Sequence, residues 1–148
     1  MSTSDRGILD TSTVVLVERI EDPRFLPPEP LITAVTLAEL SVGPLVVTDP
    51  GERATRQLRL QQAEADFDPL PFDAAAARAF GRVAASLHRA GRKTGARSYD
   101  AMIAAVALAN DLPLFTCNPA DFKHIDGLDL KSVPHPDKTP AHEPRPDL

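Results

Sequence analysis

Short apolar runs alternate with longer stretches of helical spacing along this chain. Ile8-Leu9, Leu31 to Val35 and Leu114-Phe115 read as core strands, with Leu70 to Phe72 a weaker candidate. Leu128 to Val133 supplies a candidate edge strand. Helical spacing covers Ser12 to Ile20, with Val15, Leu16 and Arg19 in register, and Thr36 to Gly43, which Gly43-Pro44 should stop. After a turn at Asp49-Pro50-Gly51, Glu52 to Asp66 reads as an exposed helix. Asp73 is a good N-cap for a helix over Ala74 to Arg89, ending near Gly91. Tyr99 to Asn110 is apolar nearly all round, which predicts a buried helix. Strands between helices imply βαβ units: an α/β fold with a mainly parallel sheet of four to five strands between helical layers.

The length of 148 residues implies one domain, and 43% hydrophobic residues suffice for its core. We place the folded part at 1–133. The remaining 134–148 has five prolines and little apolar content, which predicts a disordered tail. The single cysteine, Cys117, rules out an internal disulfide framework and fits a reducing cytoplasm. Met1 to Asp5 lacks the layout of a secretion signal, and no apolar run approaches a membrane span. With 16 Lys+Arg against 21 Asp+Glu the net charge is −5, which speaks against nucleic-acid binding through bulk charge. Acids that hold a metal count as negative until the metal arrives, so a nuclease stays open.

Four acids stand where strands or loops hand over to helices: Asp10, Glu39, Asp100 and Asp121. In an open parallel sheet, ligands bind beyond the carboxyl ends of the strands, where such acids can meet. Grouped carboxylates repel unless a cation compensates them, and Mg²⁺ suits oxygen ligands that leave room for water and phosphate. Each acid also has a plainer reading. Thr36-x-x-Glu39 matches a capping box, Asn118-Pro119-Ala120-Asp121 matches an N-cap with proline at N1, and Asp10 can cap the helix after it. Asp100, the only charged residue between Arg97 and Asp111, heads an apolar helix and resists that reading best.

A basic stretch of Arg89, Arg92, Lys93 and Arg97 leads into Asp100 and could hold phosphates without sequence preference. Its plainer reading is a solvated helix end with cations matching the dipole. His88, His124, His135 and His142 lack the spacing of a zinc site. Cys117 reads as a small buried residue, and no Gly-rich phosphate loop is present.

At these residues the sequence resembles the PIN-domain family, and within it the VapC-type toxins. The resemblance runs from Ile8 to about Leu130. It is carried in order by Leu9-Asp10-Thr11-Ser12, Thr36-Leu37-Ala38-Glu39-Leu40 with Gly43, Leu70-Pro71-Phe72-Asp73, Asp100-Ala101-Met102-Ile103-Ala104-Ala105, and Thr116-Cys117-Asn118-Pro119-Ala120-Asp121-Phe122. What the resemblance implies is a three-layer PIN-like fold and an endoribonuclease cutting single-stranded RNA with Mg²⁺ or Mn²⁺. It also implies a small VapB-type antitoxin as partner and a homodimer. By position, Asp10, Glu39, Asp100 and Asp121 match the catalytic acids, with Asp10, Asp100 and Asp121 on the metal. Thr11, Ser12, Thr116 and Asn118 match polar positions around the cofactor. Some members carry an acid where this chain has Asn118, so one- and two-metal sites are both open.

Two other classes compete. One is a PIN-like module that binds RNA or protein without cutting. The other is a receiver-like domain with Asp10 as phosphoacceptor, disfavoured because no Lys directly follows the Leu114-Phe115 strand.

Overall fold

A computed structural model describes residues 5–93, 95 and 98–137. The first strand, β1 (Arg6–Leu9), lies inside a four-stranded sheet. It pairs in parallel with β2 (Glu29–Leu31), Ile8 opposite Leu31, and with β3 (Leu114–Thr116), Leu9 opposite Phe115. The strand β4 (Leu130–Ser132) pairs in parallel with β3 and forms the edge expected there, giving the order β2-β1-β3-β4.

Successive residues of a strand point to opposite faces, and β1 shows why its Ile8-Leu9 run is apolar on both faces. Ile8 joins one core cluster, with Val83, Leu87, Ile103 and Val106. Leu9 joins the other, with Val14, Ile32, Leu40 and Ala63. The first face is covered by α4 (Ala74–Arg89) and α5 (Ser98–Ala109), which pack on each other. The second is covered by α1 (Thr11–Leu16), α2 (Ala34–Val46) and α3 (Pro50–Asp66). As the sequence predicts, α5 is buried from Ile103 to Ala107 and Asp73 caps α4, accepting from the Ala76 amide at 3.0 Å. A Cβ at Gly7 would run into the Phe115 ring, which would have to move aside.

Four local expectations are corrected. The strand expected over Leu31 to Val35 stops at Leu31, because Thr33 caps α2 and Val35 belongs to its first turn. The Leu70 to Phe72 candidate amounts to one bridge, Thr33 with Leu70. The helix expected to end at Gly43-Pro44 continues to Val46. Proline disfavours helical geometry in its predecessor through a clash involving that residue's Cβ, which Gly43 lacks. The Gly43 carbonyl, near the helix end, accepts from Arg56 Nη1 at 3.1 Å instead. Finally, Asp49-Pro50-Gly51 opens α3 rather than turning: Asp49 caps the Glu52 amide at 2.8 Å, with Pro50 at the first helical position.

The expected helix from Ser12 to Ile20 is split into α1 and a 3₁₀ turn over Val17–Arg19. Past β4, the buried Val133 donates its amide to the Thr116 carbonyl at 2.8 Å, and Asp137 forms an ion pair with Arg19. The rest of the Pro-rich tail, from 138 on, lies outside the described residues. No helix among the described residues is long and apolar enough to cross a membrane.

Candidate active site

The strand order places β1 and β3 side by side where the chain's progression across the sheet reverses. That is the switch point at which open α/β sheets bind ligands. Asp10 is the first residue past β1, and Thr116 is the last residue of β3. The Asp10 amide still donates to the Phe115 carbonyl, 3.2 Å, so the ladder carries the acid to the sheet's rim.

Asp10 is 3% exposed and surrounded by donors. Its Oδ1 accepts from the Thr13 amide at 3.1 Å and the Thr13 hydroxyl at 2.5 Å. Its Oδ2 accepts from Ser12 Oγ at 2.9 Å and Thr116 Oγ1 at 2.8 Å. Asp10 therefore caps α1, as the plainer reading had it, and anchors a wider network as well. Burial raises the Asp10 carboxyl above its ordinary pKa, against the opposing pull of these hydrogen bonds.

Glu39 lies on α2, half-buried, and accepts from Thr11 Oγ1 at 2.6 Å. Since the Thr11 proton is spent there, Thr36 Oγ1 must donate in the 3.0 Å contact between the two threonines. Burial raises the Glu39 carboxyl first, and the nearby Asp10 charge raises it further, while the Thr11 bond opposes both. The capping box is thereby corrected. Thr33, not Thr36, caps α2, so Glu39 sits a turn too deep to reach a free amide.

The other two acids stand apart in kind. Asp100 is half-buried in the first turn of α5, the helix that packs against both α2 and α4. Asp121 ends a 3₁₀ turn over Pro119–Asp121. Both interact with neighbouring groups. Among the described residues no three His, Cys, Asp or Glu side chains come close enough to hold a metal by themselves. Mg²⁺ asks for less: it commonly uses one or two carboxylates plus waters and substrate phosphate. Asp10 and Glu39 fit that demand, as hard oxygen donors whose mutual repulsion a cation would remove.

The four polar positions resolve into different tasks. Thr11 serves Glu39, whereas Ser12 and Thr116 serve Asp10. Asn118 does not cap its 3₁₀ turn. Its Nδ2 donates to Ser12 Oγ at 3.1 Å, and its backbone amide donates to Thr116 Oγ1 at 2.9 Å. Thr13 escaped the sequence reading, and Thr36 was read only as a helix cap; both are wholly buried. The signal was present: Thr11-Ser12-Thr13 puts three hydroxyls between an apolar strand and Val14-Val15. Buried hydroxyls need partners, and Asp10 is the acceptor at hand.

Of the basic stretch, Arg89 turns to Asp126 Oδ2 at 2.6 Å and reaches Ser86 Oγ at 3.4 Å. That exposed pair is worth about 0–1 kcal/mol, so it does not commit Arg89 permanently. Arg92 is half-buried and Lys93 exposed, while Arg97 lies outside the described residues. Cys117 is buried, and burial pushes its thiol up, away from nucleophile chemistry.

The two raised acids carry a pH prediction. The folded protein holds their protons more tightly than the unfolded chain, so stability falls as pH rises from the ordinary carboxylate range through the raised values. Glu39→Gln keeps an acceptor for Thr11 and removes one of the two charges. Thermal melts without divalent ions should show a higher Tm than wild type at neutral pH and a shallower fall with pH. A lower Tm would mean that the ionised Glu39 is net stabilising.

Similarity to known proteins agrees with this geometry. The PIN domain profile matches residues 8–128. Ribonuclease VapC5 of Mycobacterium tuberculosis is 39% identical over 128 residues, covering 85% of this chain and 92% of that protein. The tRNA(fMet)-specific endonuclease VapC of Shigella flexneri is 35% identical over 98 residues, covering 66% of this chain and 70% of that protein. The crystal structure of VapBC-5, a member of the VapBC family of toxin–antitoxin systems from M. tuberculosis, superposes with a TM-score of 0.73. Its identity is 36%, over 87% of this chain and 98% of that one. With four parallel strands between two helical layers and a buried aspartate at the switch point, the chain belongs to the PIN-domain family.

Proposed function

We propose that the chain is an endoribonuclease toxin that cuts single-stranded regions of RNA with Mg²⁺ or Mn²⁺ and is restrained by a small VapB-type antitoxin. The observation that carries this reading is the Asp10–Glu39 pair at the rim of β1, buried enough to raise both pKa values. The ribonuclease names of its relatives, and the toxin–antitoxin complex among its structural neighbours, support it. Homodimer formation and action in the cytoplasm belong to the same proposal.

A hard divalent cation supplies charge against the phosphate oxygens and makes water a stronger acid. Asp10 would hold such a cation from the sheet, and Asp100 and Asp121 would be its further carboxylate ligands. Glu39, steadied by Thr11, accepts a hydrogen bond from the attacking water and orients it for in-line attack. Arg92 and Lys93, with Arg89 and Arg97, hold the strand through its phosphates.

The test is incubation of purified, antitoxin-free protein with a mixed structured RNA, in Mg²⁺, in Mn²⁺ and in EDTA. Cuts confined to loops, present with either ion and absent in EDTA, are the expected result. RNA that is bound but intact with both ions would replace the nuclease by a binding module.

A further inference from the structure

We propose that Thr13 is a positioning residue: its hydroxyl fixes Oδ1 of Asp10 and leaves Oδ2 as the oxygen offered to a divalent cation. The inference rests on the metal-dependent reading of the site and adds to it a division of labour among three hydroxyls.

Thr13 is wholly buried, and its Oγ1 accepts from the Cys117 amide at 3.0 Å. A backbone N–H can only donate, so the hydroxyl proton must point elsewhere. It points to Asp10 Oδ1, which also takes the Thr13 amide. Both bonds to Oδ1 are buried, and both come from one residue pinned to the loop after β3. Oδ1 is thus filled by partners that cannot turn away.

Oδ2 differs. Thr116 is held in the same manner, since the Asn118 amide occupies its oxygen and Thr116 is wholly buried. Ser12, the second partner of Oδ2, is half-buried, and its oxygen is held only by the Asn118 side chain. A side-chain amide can rotate where a backbone amide cannot. Ser12 is therefore the one donor free to yield its place, and a cation reaches Asp10 at Oδ2 as Ser12 turns aside.

Removing a group that orients a metal ligand typically costs 10–100-fold in metal affinity. Mn²⁺ uptake, followed by electron paramagnetic resonance on protein without RNA, reads this directly. Thr13→Val, close in shape but without the hydroxyl, is expected to bind about tenfold more weakly or worse. Thr13→Ser should restore affinity to within a few-fold of wild type, since the hydroxyl returns. Wild-type affinity in Thr13→Val overturns the role of Thr13 alone. A wild type that takes up no Mn²⁺ overturns the metal reading, and this inference with it.

Should Thr13→Val not fold, wild-type protein decides by nuclear magnetic resonance. On adding Mg²⁺, the Asn118 side-chain amide signals should shift while the Cys117 amide keeps its slow hydrogen exchange. Loss of Cys117 protection would mean that Thr13 lets go of Asp10, and would overturn the proposal.

Discussion

Asp10→Asn is expected to lose both cleavage and stability. Four donors converge on the Asp10 carboxylate: two from Thr13, one from Ser12 and one from Thr116. Asparagine can keep its oxygen toward Thr13, but its amide then faces the hydroxyls of Ser12 and Thr116. Those hydroxyls cannot reverse freely, because Asn118 already donates to both. Each buried group left without its partner costs about 1–3 kcal/mol, so the unfolding free energy should drop by about 2–4 kcal/mol. Urea unfolding checks that figure. Cleavage should fall by more than about a hundredfold, since even partners behind a metal ligand are worth 10–100-fold. A variant as stable as wild type would show that the ring of donors contributes little.

Asp100→Ala should behave in the opposite way, losing activity with the fold intact. Asp100 occupies the first turn of α5, where a carboxylate gains about 0.3–1 kcal/mol from the helix dipole. Alanine gives back part of that through its helix propensity. The protein should therefore stay folded, its melting curve lowered at most by the loss of the contacts that Asp100 makes with its neighbours. Cutting should disappear, because the proposed role of Asp100 is to complete the cation's shell around the bound phosphate. Full activity in a folded Asp100→Ala protein would remove that acid from the mechanism. Together the two variants separate an acid on which the fold depends from one proposed to act chiefly in the chemistry.

How far the chain could be read in advance follows from the range of each interaction. Asp73 as a cap, the buried α5 and the apolar cores of β1 and β3 were readable because their causes lie within a few residues of each other. A cap bonds three residues ahead, and a strand covered on both faces is apolar at every position. The start of α2 was misread although its signal is local: Thr33 and Thr36 are both good caps, and the bridge between Thr33 and Leu70 favours the earlier one. The passage of α2 through Gly43-Pro44 was misread although its cause is local: Gly43 has no Cβ to clash with the ring of Pro44.

The site divides along the same line. Asp10 and Glu39 stood out in the sequence as acids at junctions, yet nothing local shows that Thr11 serves Glu39 or that Thr116 serves Asp10. Thr116 meets Asp10 across a separation of 106 residues, and Cys117 meets Thr13 across 104. By itself the sequence determined the layered α/β fold and that Asp10, Asp100 and Asp121 stand at the ends of elements, because periodicity and capping act over a few residues; Glu39 lies inside α2 instead. Only the tertiary structure decided which hydroxyl faces which oxygen. The long-range ones, Thr116 to Asp10 and the Cys117 amide to Thr13, form where β1 and β3 come together, and their partners are set by strand order rather than by neighbours in the chain.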